Sequence, residues 1–195
     1  MNYLDAFRTV NNLDGNLVEL GFGKGNSLKE FISFMNGGDI DKREIYIYES
    51  FEGYNNPSPE DKDAFKKGGF KRPIQPAYDI RHSINKEVFL IKGYIEDTLP
   101  SQAPSTPIAI IHSHLISYTS TLYGLNILSP KLKDNGIFVI TDYDVFPGTQ
   151  QAVDEFVAKY PKQWQLTKCN GFVVIKKIKI EEVSSKVSRT RTPLV

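Results

Sequence analysis

Cysteine is nearly missing from this chain: Cys169 is the single one among 195 residues. An intramolecular disulfide and a thiolate metal cluster both need more, so neither organises the fold. Long apolar runs are also missing. No stretch approaches the roughly 20 residues of a membrane span, and the opening "MNYLDAFRTVNNLDGN" lacks the apolar core of a secretory leader. These absences lead to the expectation of a cytoplasmic protein without membrane contact. An excess of either charge is missing as well: 24 Lys and Arg face 23 Asp and Glu, a net +1. No global field therefore draws the chain to nucleic acid or an anionic membrane.

What imbalance there is lies at the end. Lys176, Lys177, Lys179, Lys186, Arg189 and Arg191 against two glutamates put +4 on the last twenty residues and −3 on the rest. Residues 179–195 are read as a frayed, solvated basic tail rather than a binding arm. The remaining length suits one domain, 1–178, with a sizeable core.

Within it, strand and helix patterns alternate. "NLVELG", "EIYIYES", "EVFLIKG", "PIAIIHS" and "GIFVITDY" read as strands. In "NSLKEFISFMNGG", Leu28, Phe31, Ile32 and Met35 share one helical face, with Gly37 and Gly38 as the stop. "STLYGLNILSPKL" and "GTQQAVDEFVAKY" carry similar apolar sides. "QWQLTKC" and "FVVIKK" flank Asn170-Gly171, a dipeptide suited to a two-residue hairpin. The pattern predicts an α/β fold with a doubly wound, mainly parallel sheet of seven strands, closed by a C-terminal antiparallel hairpin. Residues 55–85, broken by Pro and Gly, are expected to make an irregular excursion over the active face, with one or two short helices.

The stretch "LVELGFGKGNS" sets Glu19, Gly21, Gly23 and Gly25 at alternate positions directly after a strand. Such a turn lets a ligand touch the main chain, or is simply tight. A P-loop would end in Gly-Lys-Ser/Thr, whereas Asn26-Ser27 follows Gly25 here. A dinucleotide fingerprint would place its third glycine three residues after Gly23, where Asn26 stands. S-adenosylmethionine has no phosphate; it asks for a close glycine backbone and a carboxylate for its ribose. Glu49 ends the second strand, one strand over, where an acceptor of two hydroxyl hydrogen bonds belongs.

Several ordered blocks resemble the macrocin O-methyltransferase (TylF-like) family of class I methyltransferases. "VELGFGKGNS" is similar to its first motif, "YESFEGYNNPSPED" to its "DSFEGLP" and "IKGYIEDTLP" to its "KGWFKDTLP". "LISYTSTLYGLNILSPKLKDNGIFVITDY" is similar to the family's segment running from two spaced aspartates to "DDY". The resemblance implies methyl transfer from S-adenosylmethionine to a hydroxyl, often of a sugar, with a divalent metal holding the acceptor. Carried over by residue, it places the cofactor at Glu19, Gly21, Phe22, Gly23, Ser27, Glu49, Ser50 and Phe51. Gly93 and Tyr94 fall at the adenine, and His112 joins the set. The metal positions are altered: His114 and Ile116 stand where the family has its two spaced aspartates, and Thr141 stands before the remaining Asp142. His114 and Asp142 are weak ligands for magnesium, and a metal remains an open question.

The acceptor oxygen must lose a proton while aligned with the methyl group. His114, with Asp142 as partner and His112 as accessory, is the expected catalytic group, since no histidine follows His114. If the fourth strand extends far enough, His112 and His114 point the same way. The plainer alternatives are hydrogen-bonded strand-end histidines and a capping aspartate. His82 reads as a surface residue. Phe51, Tyr54, Phe65, Phe70 and Tyr78 either line a lid or anchor a loop; Arg72 and Arg81 either meet an anionic acceptor or stay solvated. The short lead before the first strand suggests that the excursion or a second subunit of a homo-oligomer encloses the acceptor. A cofactor-binding subunit with a decayed acceptor site is the main competing function; nucleic-acid methylation lacks a basic face, and a dehydrogenase lacks the glycine spacing.

Overall fold

The computed structural model describes residues 3–35, 43–55, 57–62, 64, 66–83 and 87–179. Helix α1 (Tyr3–Arg8) precedes β1 (Asn16–Leu20), α2 (Asn26–Met35) and β2 (Ile45–Glu49). A 3-10 turn (Pro59–Asp61), α3 (Gln75–Ser83), β3 (Val88–Lys92), α4 (Ile95–Gln102) and β4 (Ile108–Ser113) follow. The chain continues through α5 (Tyr118–Leu128), β5 (Leu132–Thr141), α6 (Pro147–Lys159), β6 (Trp164–Cys169) and β7 (Phe172–Lys177).

The strands form one seven-stranded sheet in the order β3-β2-β1-β4-β5-β7-β6. Pairings among β1 to β5 are parallel; β7 lies antiparallel to both β5 and β6. The sheet and its closing hairpin are those expected from the sequence. Side-chain alternation divides the core in two. Ile137 and Val139 of β5 face α1, α2 and α3 through Phe7, Phe31 and Ile80. Phe138 and Ile140 face α4, α5 and α6 through Leu99, Leu125 and Phe156. At the hairpin, Cys169 pairs with Phe172, and Gly171 takes a φ of 79°.

Helix α4 is not anticipated by the sequence reading. α4 contains Pro100, which removes the N–H that would bond the Glu96 carbonyl. The Tyr123 hydroxyl of α5 donates to that carbonyl at 3.4 Å, so a neighbouring helix repairs the gap. The lead before β1 is pinned by a buried arginine: Arg43 donates to the carbonyls of Val10 (2.9 Å), Leu13 (2.6 Å) and Gly15 (2.5 Å). Burial pulls its guanidinium pKa below the ordinary value, against the raising influence of Asp14.

The excursion is tied at both ends. At its base, the Tyr54 N–H donates to Gly69 O at 2.9 Å and the Gly68 N–H to Tyr54 O at 2.8 Å. At its tip, the fully buried Asp61 accepts from the Ser58 N–H at 2.8 Å and, on α5, from the Tyr118 N–H at 2.7 Å. Gly148 makes this approach possible on α6, since a Cβ there would overlap Asp61 Oδ1. Gly37, Gly38, Phe65 and the tail from residue 180 onward, with Lys186, Arg189 and Arg191, lie outside the described residues. Among the described residues no helix is long and apolar enough to cross a membrane.

Candidate active site

A cavity of about 420 Å³ opens at the carboxyl ends of the parallel strands. It lies beside the β1/β4 junction, where the following helices leave for opposite faces of the sheet, the ordinary ligand position in such folds.

One wall is main chain. Gly21 and Gly23 have φ of 80° and 56°, a region that penalises a side chain. A Cβ on Gly21 would also stand 3.0 Å from the His114 carbonyl oxygen. Glu49 crosses from the end of β2 to brace this loop. Its Oε2 accepts from the N–H of Phe22 (2.9 Å) and Gly23 (3.3 Å). Its Oε1 accepts from the Phe51 N–H (3.0 Å) and lies 3.3 Å from the Ser50 hydroxyl.

Next to this loop the cavity is lined by His114 and Asp142. Strand β4 stops at Ser113, so alternation no longer dictates where His114 points. Its N–H still donates to Leu20 O at 2.8 Å, but its ring turns into the cavity. Nδ1 lies 2.7 Å from Thr141 Oγ1, and Nε2 lies 3.5 Å from Asp142 Oδ2. Asp142 and Phe70 line the cavity at positive φ, 59° and 62°. A non-glycine residue in that region costs about 1–3 kcal/mol and persists only where its surroundings enforce it.

The excursion supplies the outer wall through Tyr54, Phe70 and Arg72, opposite Val145 and Phe146 of the β5–α6 loop. Burial holds the Tyr54 phenol well above the ordinary tyrosine range, and the Asp61 carboxylate adds to the effect. Burial does the same at Tyr48, with Tyr46 contributing.

Of the expected site residues, Gly21, Gly23, Glu49, Ser50, Gly93, Tyr94, His114 and Asp142 border the cavity. Glu19, Phe22, Ser27, Phe51 and His112 do not. Phe22 and Phe51 are core side chains that reach Glu49 only through their amides. Glu19 and His112 are cross-strand neighbours on β1 and β4, with Nδ1 2.6 Å from Oε2. Both are buried on the α1–α2 face, edge-on to Phe31 for the imidazole. The two histidines therefore do not point the same way, because β4 ends between them. Tyr78, Arg81 and His82 of α3 also stand away from the cavity.

Sequence reasoning missed Glu96 and Ser120, which meet on the cavity wall with the Ser120 hydroxyl donating to Oε1 at 2.6 Å. A signal existed, since Glu96 directly follows the Gly93-Tyr94-Ile95 turn. No comparable signal marks Val145 and Phe146, which tertiary packing alone brings to the mouth.

The donor set does not suit the divalent metal implied by the family resemblance. Among the described residues no three His, Cys, Asp or Glu side chains converge as ligands. Ile116 and Thr141 stand where further acids would be needed, and Thr141 is engaged by His114.

Comparison with known proteins bears on the fold and the family. The chain is 26% identical over 160 residues to a demethyldecarbamoylnovobiocin O-methyltransferase of Streptomyces niveus, covering 77% of this chain and 61% of the relative. It is 24% identical over 156 residues to a 4'-O-methyltransferase of a rhamnosyl tetracenomycin from Streptomyces olivaceus, covering 75% and 59%. The chain thus spans about three fifths of the length of these curated relatives. The structure of the O-methyltransferase NovP superposes with a TM-score of 0.77 at 24% identity, over 90% of this chain and 77% of that one. The family profile of macrocin O-methyltransferase (TylF) matches residues 2–177, and the chain belongs to that family.

Proposed function

We propose that this chain transfers a methyl group from S-adenosylmethionine to a hydroxyl of a small, sugar-containing acceptor. The observation that carries the reading is the meeting, in one cavity, of a glycine main-chain wall braced by Glu49 with the adjacent His114 and Asp142. The cofactor fits the first wall on chemistry. Gly21 and Gly23 leave their backbone open, and the nearby side chain is an acceptor-only carboxylate rather than a phosphate-binding cation. Four donors already surround Glu49, so ribose hydroxyls compete with the two at 3.3 Å, Gly23 and Ser50. Gly93, Tyr94 and Glu96 border the part of the cavity beyond Glu49, a place for the adenine.

When bound, S-adenosylmethionine supplies an electrophilic methyl on a sulfur that leaves as a neutral thioether. The acceptor oxygen forms the new C–O bond and gives up its proton to His114 Nε2. Thr141 holds the opposite ring nitrogen at 2.7 Å, fixing the plane of the imidazole. Asp142, 3.5 Å from Nε2, steadies the positive charge that the ring then carries. No step passes through a metal. The acceptor class is drawn from the relatives, whose names describe methylation of novobiocin- and tetracenomycin-type compounds. A reducing, cytoplasmic setting accords with the single free, half-buried Cys169.

Calorimetry with S-adenosylmethionine and with NAD tests the cofactor, and release of S-adenosylhomocysteine over a panel of sugars and glycosides tests the reaction. Binding of the first compound alone and turnover unaffected by chelator are expected. His114→Ala should lower turnover by about 100-fold or more while leaving cofactor affinity within about twofold; full turnover in this variant removes the base assignment. Binding without turnover on any acceptor would favour a cofactor-binding subunit, for which the altered Ile116 and Thr141 positions speak.

A further inference from the structure

The mouth of the cavity breaks two local rules at one residue. Phe70 is a large aromatic left 51% exposed, and it is held at a φ of 62° that a non-glycine residue disfavours. Neither feature serves the core. Phe70 instead stands edge-on to Tyr54 and Phe146, with ring centroids 6.1 and 6.4 Å away, at the rim of the cavity. The Arg72 guanidinium lies 6.0 Å from the centre of the Phe70 ring and lines the same wall. Its neighbour Lys71 is engaged elsewhere, 2.9 Å from Glu52. Among the described residues no carboxylate pairs with Arg72, and Arg72 is the one Lys or Arg on the cavity wall. Pro73 follows it and disfavours helical backbone at Arg72, keeping the arginine out of α3, which starts at Gln75.

We propose that Arg72, positioned over Phe70, binds an anionic group, phosphate or carboxylate, attached to the sugar that is methylated. This rests on the methyltransferase reading and narrows its substrate class to anionic sugars. A guanidinium presents a planar fork that matches either oxyanion, and an aromatic face beneath it keeps that fork flat and partly desolvated. His114 and Asp142 line the same cavity as Arg72, so a sugar whose hydroxyl meets His114 presents its anionic substituent to Arg72. Phe70 and Phe146 then flank whatever extends beyond the anion. A sugar carrying a diphosphate at this stage is an activated donor, so the reaction consuming such a product would be a glycosyl transfer; a uronate carries no such implication.

The test uses matched acceptors of one sugar at a time: neutral methyl glycoside, sugar 1-phosphate, nucleoside diphosphate sugar and uronate. S-adenosylhomocysteine release is followed over several sugars. The expected result is a KM at least about tenfold lower for an anionic member than for its neutral partner. The phosphate and uronate arms identify the source of the charge. Arg72→Met should raise the KM of the anionic acceptor about tenfold, with kcat, the neutral partner's KM and S-adenosylmethionine affinity within about twofold. Phe70→Gly should raise the same KM while leaving Tm unchanged or higher, because glycine relieves the left-handed backbone. The proposal falls if neutral glycosides turn over as well as anionic ones, or if Arg72→Met changes no acceptor's KM. It falls too if no anionic sugar binds or reacts with an enzyme that does bind S-adenosylmethionine. A Tm loss above about 5 °C in Phe70→Gly with KM unchanged would assign the ring to packing. Failure of S-adenosylmethionine to bind would instead overturn the underlying methyltransferase reading.

Discussion

Glu49 carries two tasks on one carboxylate: it accepts from the glycine loop at Phe22 and Gly23, and it faces the cavity. The family resemblance has an aspartate at this position, and the extra methylene gives Glu49 the length to span from β2 to the β1–α2 turn. Glu49→Gln keeps the shape but puts an amide N–H₂ against backbone donors that need an acceptor. A stability loss of about 1–3 kcal/mol is expected in urea titrations. Cofactor affinity measured by calorimetry should fall by about tenfold or more, since one hydrogen bond to an ionised acceptor is removed. A variant that loses neither would show that the glycine loop holds itself.

The elements that matter most are those whose ends, rather than whose middles, carry function. Strand β4 ends one residue before His114, and this separates a core imidazole from a cavity imidazole two positions on. Near its tip the excursion is fastened by the buried side chain of Asp61 to the start of α5 and against Gly148 of α6. Asp61→Ala would leave the Ser58 and Tyr118 N–H groups without their acceptor, at a cost of about 2–4 kcal/mol. Urea denaturation should show this loss, and limited proteolysis should cut first between residues 55 and 72, the stretch that Asp61 holds. The excursion was visible in the sequence as a Pro/Gly-broken polar stretch, but its role as a wall was not. The Asp61–Tyr118 contact joins residues 57 apart, beyond the reach of any local periodicity. α4 was hidden for the opposite reason: Pro100 argues locally against a helix, and Tyr123 from another helix answers it.

At the scale of the whole molecule, several phenols are buried around the sheet and the cavity. Tyr48 and Tyr143 are fully buried, and Tyr48 donates to Gln102 O at 2.6 Å. Burial raises the phenol pKa at Tyr48, Tyr54 and Tyr143. The unfolded chain releases phenolic protons near pH 10, whereas the native state retains these to higher pH. The stabilising contribution is thus complete below about pH 10 and declines above it, because the unfolded state then binds fewer protons. Each phenol adds a slope of up to about 1.4 kcal/mol per pH unit. Urea midpoints measured from pH 9 to 11 should fall steeply, and Tyr48→Phe should flatten that fall by about one phenol's share. An unchanged slope in the variant would mean that Tyr48 ionises at its ordinary pH in the fold.

Taken by itself, the sequence determined which segments are strands, the doubly wound order with its closing hairpin, and the glycine turn with Glu49 one strand away. Each of these is written in periodicities and spacings within a few tens of residues, where alternation and turn chemistry act directly on the chain. Tertiary structure alone decided that His114 and not His112 meets the cavity, that Glu49 binds the loop as well as facing the ligand space, and that Phe70, Arg72 and Phe146 share one mouth. Those outcomes depend on where a strand stops and on contacts between distant segments, and such contacts form only when the two faces of the sheet are packed.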